Sequence, residues 1–515
     1  MSKFWSRFVI ITLIVIGIFC RIINLDTKAY WYDETFTSFQ LSGYSSEEVT
    51  NQILDGREIG IEELQQYQNP QKDSQKTVVD TVKRIAIVEP QLTPLYFILL
   101  RFWTQWLGDS IAVIRSLSVM FSLFTLPLMY WLAKQLFQSS IIAWMSVVLL
   151  AISPIHVLYA QEARPYSLYT LATLLSSVLF LQAIKLKNYQ SWFLYAISVT
   201  FGLYSFFLTC LVYFSHGIYI ILTEGLRLSQ NLRRFVASMI FGIVTFIPWI
   251  YLIVQGKEGI EKRFTSEQIS IVRYLIKWIR NLTLFFVDFD LDPSSPKVYL
   301  IPFSFLLLLI IGLIFYSLYF LYVNGDKISR TFIFSSFFVP LISLLIIDLL
   351  LGTNRITVTR YLIPYFIGVH LAVAYLLVRK NFQISLQTGK QIFWRFILVF
   401  VVSLGVISST MIANAQVWWN KDPQNVNHEL AMIINQSSQP LIVSDFWFVN
   451  VISLSHLLDP KVKFQLVVEP DIPSIKEGYS DIFLYQPSEN LKTQLSEDYQ
   501  LEAVRKPLLW KLPSD

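Results

Sequence analysis

The chain has 515 residues, of which 54% are hydrophobic, 16% aromatic and only 15% charged, with a mean hydropathy of +0.51. A soluble domain carries about 25% charge, and so few charges cannot clothe the wet surface of a chain this long. The apolar residues fall instead in blocks of about 20, the length that crosses roughly 30 Å of hydrocarbon, so a polytopic α-helical membrane protein is expected. A disordered chain, a collagen-like fibre, a soluble nucleic-acid binder and a disulfide scaffold are excluded.

In chain order, the first block spans about 7–25, behind Lys3 and Arg7. No small-residue cleavage site follows it, and Phe19 before Cys20 does not suit a lipoprotein signal, so it reads as an uncleaved first helix with its start inside. Further blocks lie at about 113–133, 140–158, 167–184, 192–207, 209–223, 235–254, 299–322, 331–351, 361–378 and 393–412. Residues 92–107 are also apolar, but the run is short and carries Arg101. Charge parity decides its role. If it does not span, fourteen basic residues fall in the connections on the starting side: Lys3, Arg7, Lys134, Lys185, Lys187, Arg227, Arg233, Arg234, Lys327, Arg330, Arg379, Lys380, Lys390 and Arg395. Only Glu224 and Asp326 oppose them there. If it spans, most of those charges move outside. The positive-inside rule therefore makes 92–107 an interfacial helix on the outer leaflet and leaves about eleven transmembrane helices, N-terminus inside and C-terminus outside.

Acidic residues complete the pattern. Twelve of 36 lie in 26–90 and thirteen in 415–515, so both large polar segments are expected outside. The division that follows is a membrane domain at 1–414, including a first outer loop at 26–112, and a small extracytoplasmic α/β domain at 415–515. In that tail 424–436 reads as a helix, and 440–445, 461–468 and 481–486 as strands with a helix between the first two. It has no glycine-rich phosphate loop, which argues against a nucleotide there. The stretch 271–286, within the loop 255–298, is amphipathic and suited to a membrane surface. Cys20 and Cys210 sit in apolar blocks, and the five histidines show no metal spacing.

Four polar constellations share the expected outer face. Asp33-Glu34 follows the first helix; adjacent carboxylates suit a general base or a cation site, but equally the first turn of a helix. Glu89, with Tyr96 after two prolines, opens the interfacial helix. Tyr159-Ala160-Gln161-Glu162-Ala163-Arg164-Pro165-Tyr166 places an acid and an arginine at the apolar boundary, where ionisable groups are costly; a local surface pair is the plainer alternative. Asn354-Arg355 and Thr359-Arg360-Tyr361-Leu362-Ile363-Pro364 lead into a late helix, with Asp348 about a turn below. Arginine suits a phosphate, and Glu suits a metal or a hydroxyl. Ordinary interfacial anchoring by Arg and Tyr explains the last group as well.

In this order the DE pair, the acid before Pro-Leu-Tyr, QEARPY and RYLxP resemble glycosyltransferase family 39, which includes the protein O-mannosyltransferases and the aminoarabinose transferases, of GT-C architecture. The resemblance covers about 1–380. It implies an inverting transfer of a sugar from a polyprenyl-phosphate carrier to a hydroxyl of a lipid, glycan or protein on the outer face of the plasma membrane, in a bacterium the inner membrane. It implies Asp33 as catalytic base, Glu34 assisting it or holding a cation, Glu162 as the second acid, and Arg164 and Arg360, with Tyr361, as contacts to the carrier phosphate. Glu89, Tyr96, Tyr166, Asp348 and Arg355 are further candidates. A divalent cation, if used, would fall to Asp33 and Glu162; no nucleotide and no nucleic acid is expected. The family's His-Pro before Pro-Leu-Tyr is here Leu92-Thr93, so no histidine role carries over. Two other classes remain. A transporter or flippase of lipid-linked saccharide would need charged or broken helices at mid-membrane, where His216 and His370 are the main candidates, and internal repeats, which are absent. A non-catalytic assembly subunit would not need Asp33 and Glu162.

Overall fold

The structure is a computed structural model that describes residues 3–70, 76–255, 270–291, 295–382, 388–421, 425–475 and 478–512. Its contacts divide the chain into two compact units. One comprises 1–25, 86–96 and 115–414; the other comprises 26–85, 97–114 and 415–515.

The first unit is helical. Seven of its helices are long and apolar enough to cross a membrane: Ile111–Phe137, Tyr166–Leu186, Gln230–Gln255, Lys297–Asn324, Lys327–Leu351, Thr359–Phe382 and Gly389–Asn414. Three more of the expected spans are the shorter helices Lys3–Ile22, Tyr189–Ser205 and Thr209–Glu224, of 20, 17 and 16 residues. The block at 140–158 departs from the expected straight span. It is two helices, Ser140–Ala151 and Pro154–Ala160, bent by 58°. The break follows from Pro154, which lacks an N–H and favours a helix start.

A break in hydrocarbon frees carbonyls that need new donors. Arg21 supplies them. It is fully buried, and its guanidinium donates to Leu150 O at 2.9 Å, to Ala151 O, to Gly17 O at 2.7 Å and to Ser122 Oγ at 2.9 Å. Ser409 Oγ donates to Ile152 O at 2.9 Å. Gly17 and Gly405 let their helices approach this bend: a Cβ on either would press on the carbonyl of Ala151 or Ile152. The bent pair leads directly into Gln161-Glu162.

The second unit is a six-stranded sheet with helices. The strands are β1 (Glu58–Gly60), β2 (Pro440–Ser444), β3 (Lys463–Leu466), β4 (Asp481–Tyr485), β5 (Glu502–Arg505) and β6 (Leu509–Leu512), in the order β1-β3-β2-β4-β6-β5. The central β2 is parallel to β3 and β4 and wholly buried, as a strand covered on both faces should be. The expected tail elements are present as Asn425–Asn435, β2, Phe448–Ser455, β3 and β4. Three strands go beyond that reading. β5 and β6 extend the sheet antiparallel to β4, and β1, which comes from the first loop, pairs antiparallel with β3 through Ile59 opposite Phe464. Leu441, Val443, Leu484, Leu491, Leu495 and Leu512 pack the core.

Leu95–Leu107, the expected interfacial helix, is 13 residues long, about 20 Å and too short to span. Phe102 and Trp106 stand exposed on it, while Arg101 turns inward and donates to Leu41 O and to Thr81 Oγ1. Ile271–Asn281 is the expected amphipathic helix, with Ile271, Val272, Leu275, Ile276 and Ile279 exposed. Residues 256–269 of that loop lie outside the described residues.

Candidate active site

In the helical unit the Glu162–Tyr166 turn sits between the bent pair and Tyr166–Leu186. Gln161 fixes its start by donating from Nε2 to Cys20 O and Ile23 O, both at 2.9 Å. Glu162, Arg164 and Tyr166 are all buried. Tyr166 is the hub: Tyr159 lies 4.9 Å away ring to ring and Phe206 6.0 Å, and the guanidinium groups of Arg360 and Arg164 sit over its ring at 5.5 and 5.9 Å. Arg360 also lies 6.0 Å from the ring of Tyr361, which touches Phe206. Cations over an aromatic face are held there electrostatically.

Tyr96 joins this cluster from the first turn of the helix Leu95–Leu107. Its hydroxyl is 2.8 Å from Ser118 Oγ, which donates to Arg164 O at 3.3 Å. Glu89 stands in the turn ahead of it, its carbonyl accepting from Leu92 N. Sequence reasoning passed over Asp288. This buried acid shares with Glu162, Arg360 and Tyr166 an electrostatic interaction with Tyr159. The only signal was the acidic run Asp288-Phe289-Asp290-Leu291-Asp292 after the amphipathic helix.

Asp348 is an organiser of the loop that carries Arg360. Its carboxylate accepts from Thr353 Oγ1 at 2.6 Å, Arg355 N at 2.7 Å and Ile356 N at 2.8 Å. The Tyr274 hydroxyl points at it from 3.5 Å, and burial, then the Asp348 charge, push that phenol up to about 12, so it stays a donor. Asn281, also unforeseen, donates to Thr357 O at 2.8 Å and accepts from Thr359 Oγ1 at 2.7 Å. The amphipathic helix thereby grips the residues flanking Arg360. Arg355 contributes its backbone N–H to Asp348.

Asp33 and Glu34 belong to the other unit. They lie in the first turn of the helix Tyr32–Ser42, whose N-cap is Trp31, not Asp33. Acids there are favoured by the helix dipole. Consecutive helix residues point roughly 100° apart, and the two carboxylates have different settings: Asp33 is partly exposed, whereas Glu34 is wholly buried. Glu34 Oε2 lies 3.1 Å from Lys421 Nζ, an ion pair with side chains 0% and 3% exposed. At the other end of this helix Gly43 takes a left-handed conformation (φ 80°), Arg84 donates to Tyr44 O, and Arg101 to Leu41 O. Cations at a helix C-terminus complement the acids at its start.

Among the described residues no group of three or more His, Cys, Asp or Glu is placed to hold a metal ion. His216 is buried in an aromatic nest, stacked on Phe180 at 4.2 Å, with Tyr195 OH 3.0 Å from Nδ1.

Residues 89–252 match the family described as dolichyl-phosphate-mannose-protein mannosyltransferase. Among curated proteins no sequence match was found. Among solved structures the chain is similar to ArnT from Cupriavidus metallidurans bound to undecaprenyl phosphate, at 11% identity and a TM-score of 0.52 over 99% of this chain and 98% of that one. It is also similar to the oligosaccharyltransferase of Archaeoglobus fulgidus, at 12% identity and a TM-score of 0.53, over 91% of this chain and 65% of the other. The fold is of the GT-C type, membrane-embedded and helical, here carrying a small α/β sheet domain.

Proposed function

We propose that this GT-C chain is an inverting glycosyltransferase that moves a sugar from a polyprenyl-phosphate carrier to a hydroxyl of a lipid, glycan or protein acceptor at the outer face of the plasma membrane. The observation that carries the reading is the cluster of the buried Glu162, Arg164 and Tyr166 with the half-buried Arg360, in a fold shared with a protein that binds undecaprenyl phosphate. Two guanidinium groups held over one tyrosine are preorganised for an anion. The leaving group of the reaction is a polyprenyl phosphate whose negative charge grows as the glycosidic bond breaks, and fixed cations in a water-poor setting stabilise such charge most.

In this reading Asp33, partly exposed at the start of its helix, takes the proton of the acceptor hydroxyl as it attacks the anomeric carbon. Arg164 and Arg360 receive the carrier phosphate, with Tyr361 beside Arg360. Glu162 orients the acceptor. Asp348, Asn281 and Tyr96 keep the arginine-bearing segments in place. The energy comes from the carrier phosphoester, so no nucleotide is required.

The test is mass spectrometry of lipids and envelope glycans from cells with and without the protein. Disappearance of one sugar mass on removal, with accumulation of the polyprenyl-phosphate sugar, supports the reading. Unchanged products would reject it, and saccharide uptake into proteoliposomes without a glycosylated product would favour a transporter instead.

A further inference from the structure

The chain after the last membrane helix and the chain after the first are tied together inside the sheet-bearing unit. Ala29 N donates to Gln416 O at 2.9 Å and Lys28 Nζ to Ala415 O at 2.8 Å. Ser453 Oγ donates to Tyr30 O at 2.9 Å. Trp447 packs on Tyr32 at 5.2 Å and on Phe36 at 6.0 Å, the neighbours that flank Asp33 by one and three residues. Phe448 meets Phe39 further along the same helix at 5.1 Å. The centre of this junction is Lys421. Its ammonium donates to Ala29 O at 2.9 Å and to Glu34 Oε2 at 3.1 Å, so one buried cation bridges the approach to the helix and its first turn.

We propose that Lys421 is a positioning residue for Asp33, acting through Glu34, so that the segment after the last membrane helix sets the geometry of the base. This rests on the reading of Asp33 as base. Three observations converge on it. Glu34 is adjacent in sequence to Asp33, so its carboxylate fixes the rotation of the turn that aims Asp33. Both members of the ion pair are buried, and such a pair holds one geometry because neither charge has solvent to turn to. The second bond of Lys421, to Ala29 O, locks the turn against the strand-like segment that precedes it. Glu34 is then a structural anchor, and its neighbour alone faces the chemistry.

The experiment uses the full chain in native membranes, fed with polyprenyl-phosphate lipids extracted from cells that lack the protein, and follows the sugar-bearing product that those cells fail to make. Rates are divided by the amount of folded, monodisperse protein. Lys421→Met is expected to lower kcat about 10- to 100-fold, the scale of an ångström-sized misplacement, with the half-saturating amount of lipid extract unchanged within about twofold. Lys421→Arg, which keeps the charge, is expected to recover most of the rate. Should Lys421→Met fail to fold, Glu34→Gln/Lys421→Met leaves no orphaned charge and should give folded protein with the same loss of kcat. Full kcat per folded molecule in Lys421→Met or in the double variant overturns the proposal, because a merely structural role changes only the folded amount. Asp33→Asn separates the two readings. If it is inactive while Lys421→Met is fully active, only the positioning role fails; if Asp33→Asn is itself fully active, the base assignment fails and the positioning role with it.

Discussion

Replacing Arg21 with Met should weaken the fold and disable the Glu162 turn together. The guanidinium makes four hydrogen bonds within the helical unit, two of them to carbonyls released by the break after Ala151. Gly17 O is four residues back on the same helix and keeps a helical partner. Leu150 O retains the Ile152 N–H and a 3.3 Å contact from Ser153 N, and Ala151 O loses the donor that reaches it across helices. A buried acceptor left unsatisfied costs about 1–3 kcal/mol, so the loss is roughly 1–3 kcal/mol, most of it at Ala151 O because Leu150 O keeps two backbone contacts. Some of this is offset because the variant no longer buries a charge. The assay is the temperature at which detergent-extracted protein stops eluting as a single species. Phe19→Ala is the control, since that side chain is exposed on the same helix and substitutions of that kind stay within about 0.5 kcal/mol. Arg21→Met should melt clearly below the control and lose transfer activity; melting together with the control would refute the idea that Arg21 holds the bend.

Three further outcomes follow from the same geometry. Arg360→Ala should cut kcat/KM about 10²-fold or more, as for other donors aimed at developing charge, with Arg360→Lys recovering little because a point charge does not replace a planar fork; wild-type rates would count against a phosphate role. Asp348→Ala removes the acceptor for three donors and should loosen 352–360 by about 1–3 kcal/mol, seen as faster protease cleavage there. Ser45 and Glu48 form a capping box at the start of Ser46–Ile53, so Ser45→Ala should cost about 1 kcal/mol, read as a lower melting temperature with activity at moderate temperature retained.

Most of the membrane architecture was legible because apolar length is a local property. Each expected span was a run of residues whose transfer energy could be added up in place. The bend at Ser153-Pro154 escaped that sum, since hydropathy measures how apolar a segment is and not where its axis points; the proline was the available clue. Arg21 carries no signal of its role in the sequence, because its work is done on a helix 130 residues away. The sheet shows the same limit. β2 to β4 announce themselves as apolar runs, but β1 is three residues from the first loop, paired with β3 some 400 residues later, and long-range pairing leaves no local pattern.

The site divides in the same way. Arg164, Tyr166, Arg360 and Tyr361 were visible as motifs, and the structure sets both arginines over the Tyr166 ring with Tyr361 beside Arg360. Asp348 was visible as an acid near the right place, yet its bonds make it a loop anchor. Only the family resemblance separated Asp33 from Glu34, because adjacent acids differ only in which way the helix turns them. Lys421 carried no signal at all: a single lysine in a polar linker becomes informative only when the fold buries it against Glu34.

In the proposed reaction sugar leaves a polyprenyl-phosphate carrier for a hydroxyl deprotonated by Asp33. Its most direct test is the rate of sugar transfer from polyprenyl-phosphate sugar in membranes holding equal amounts of wild-type protein or Asp33→Asn. The wild type is expected to transfer and Asp33→Asn, equally folded, to fall by at least about 10²-fold, the contribution expected of a general base. Equal rates for the two proteins would contradict it.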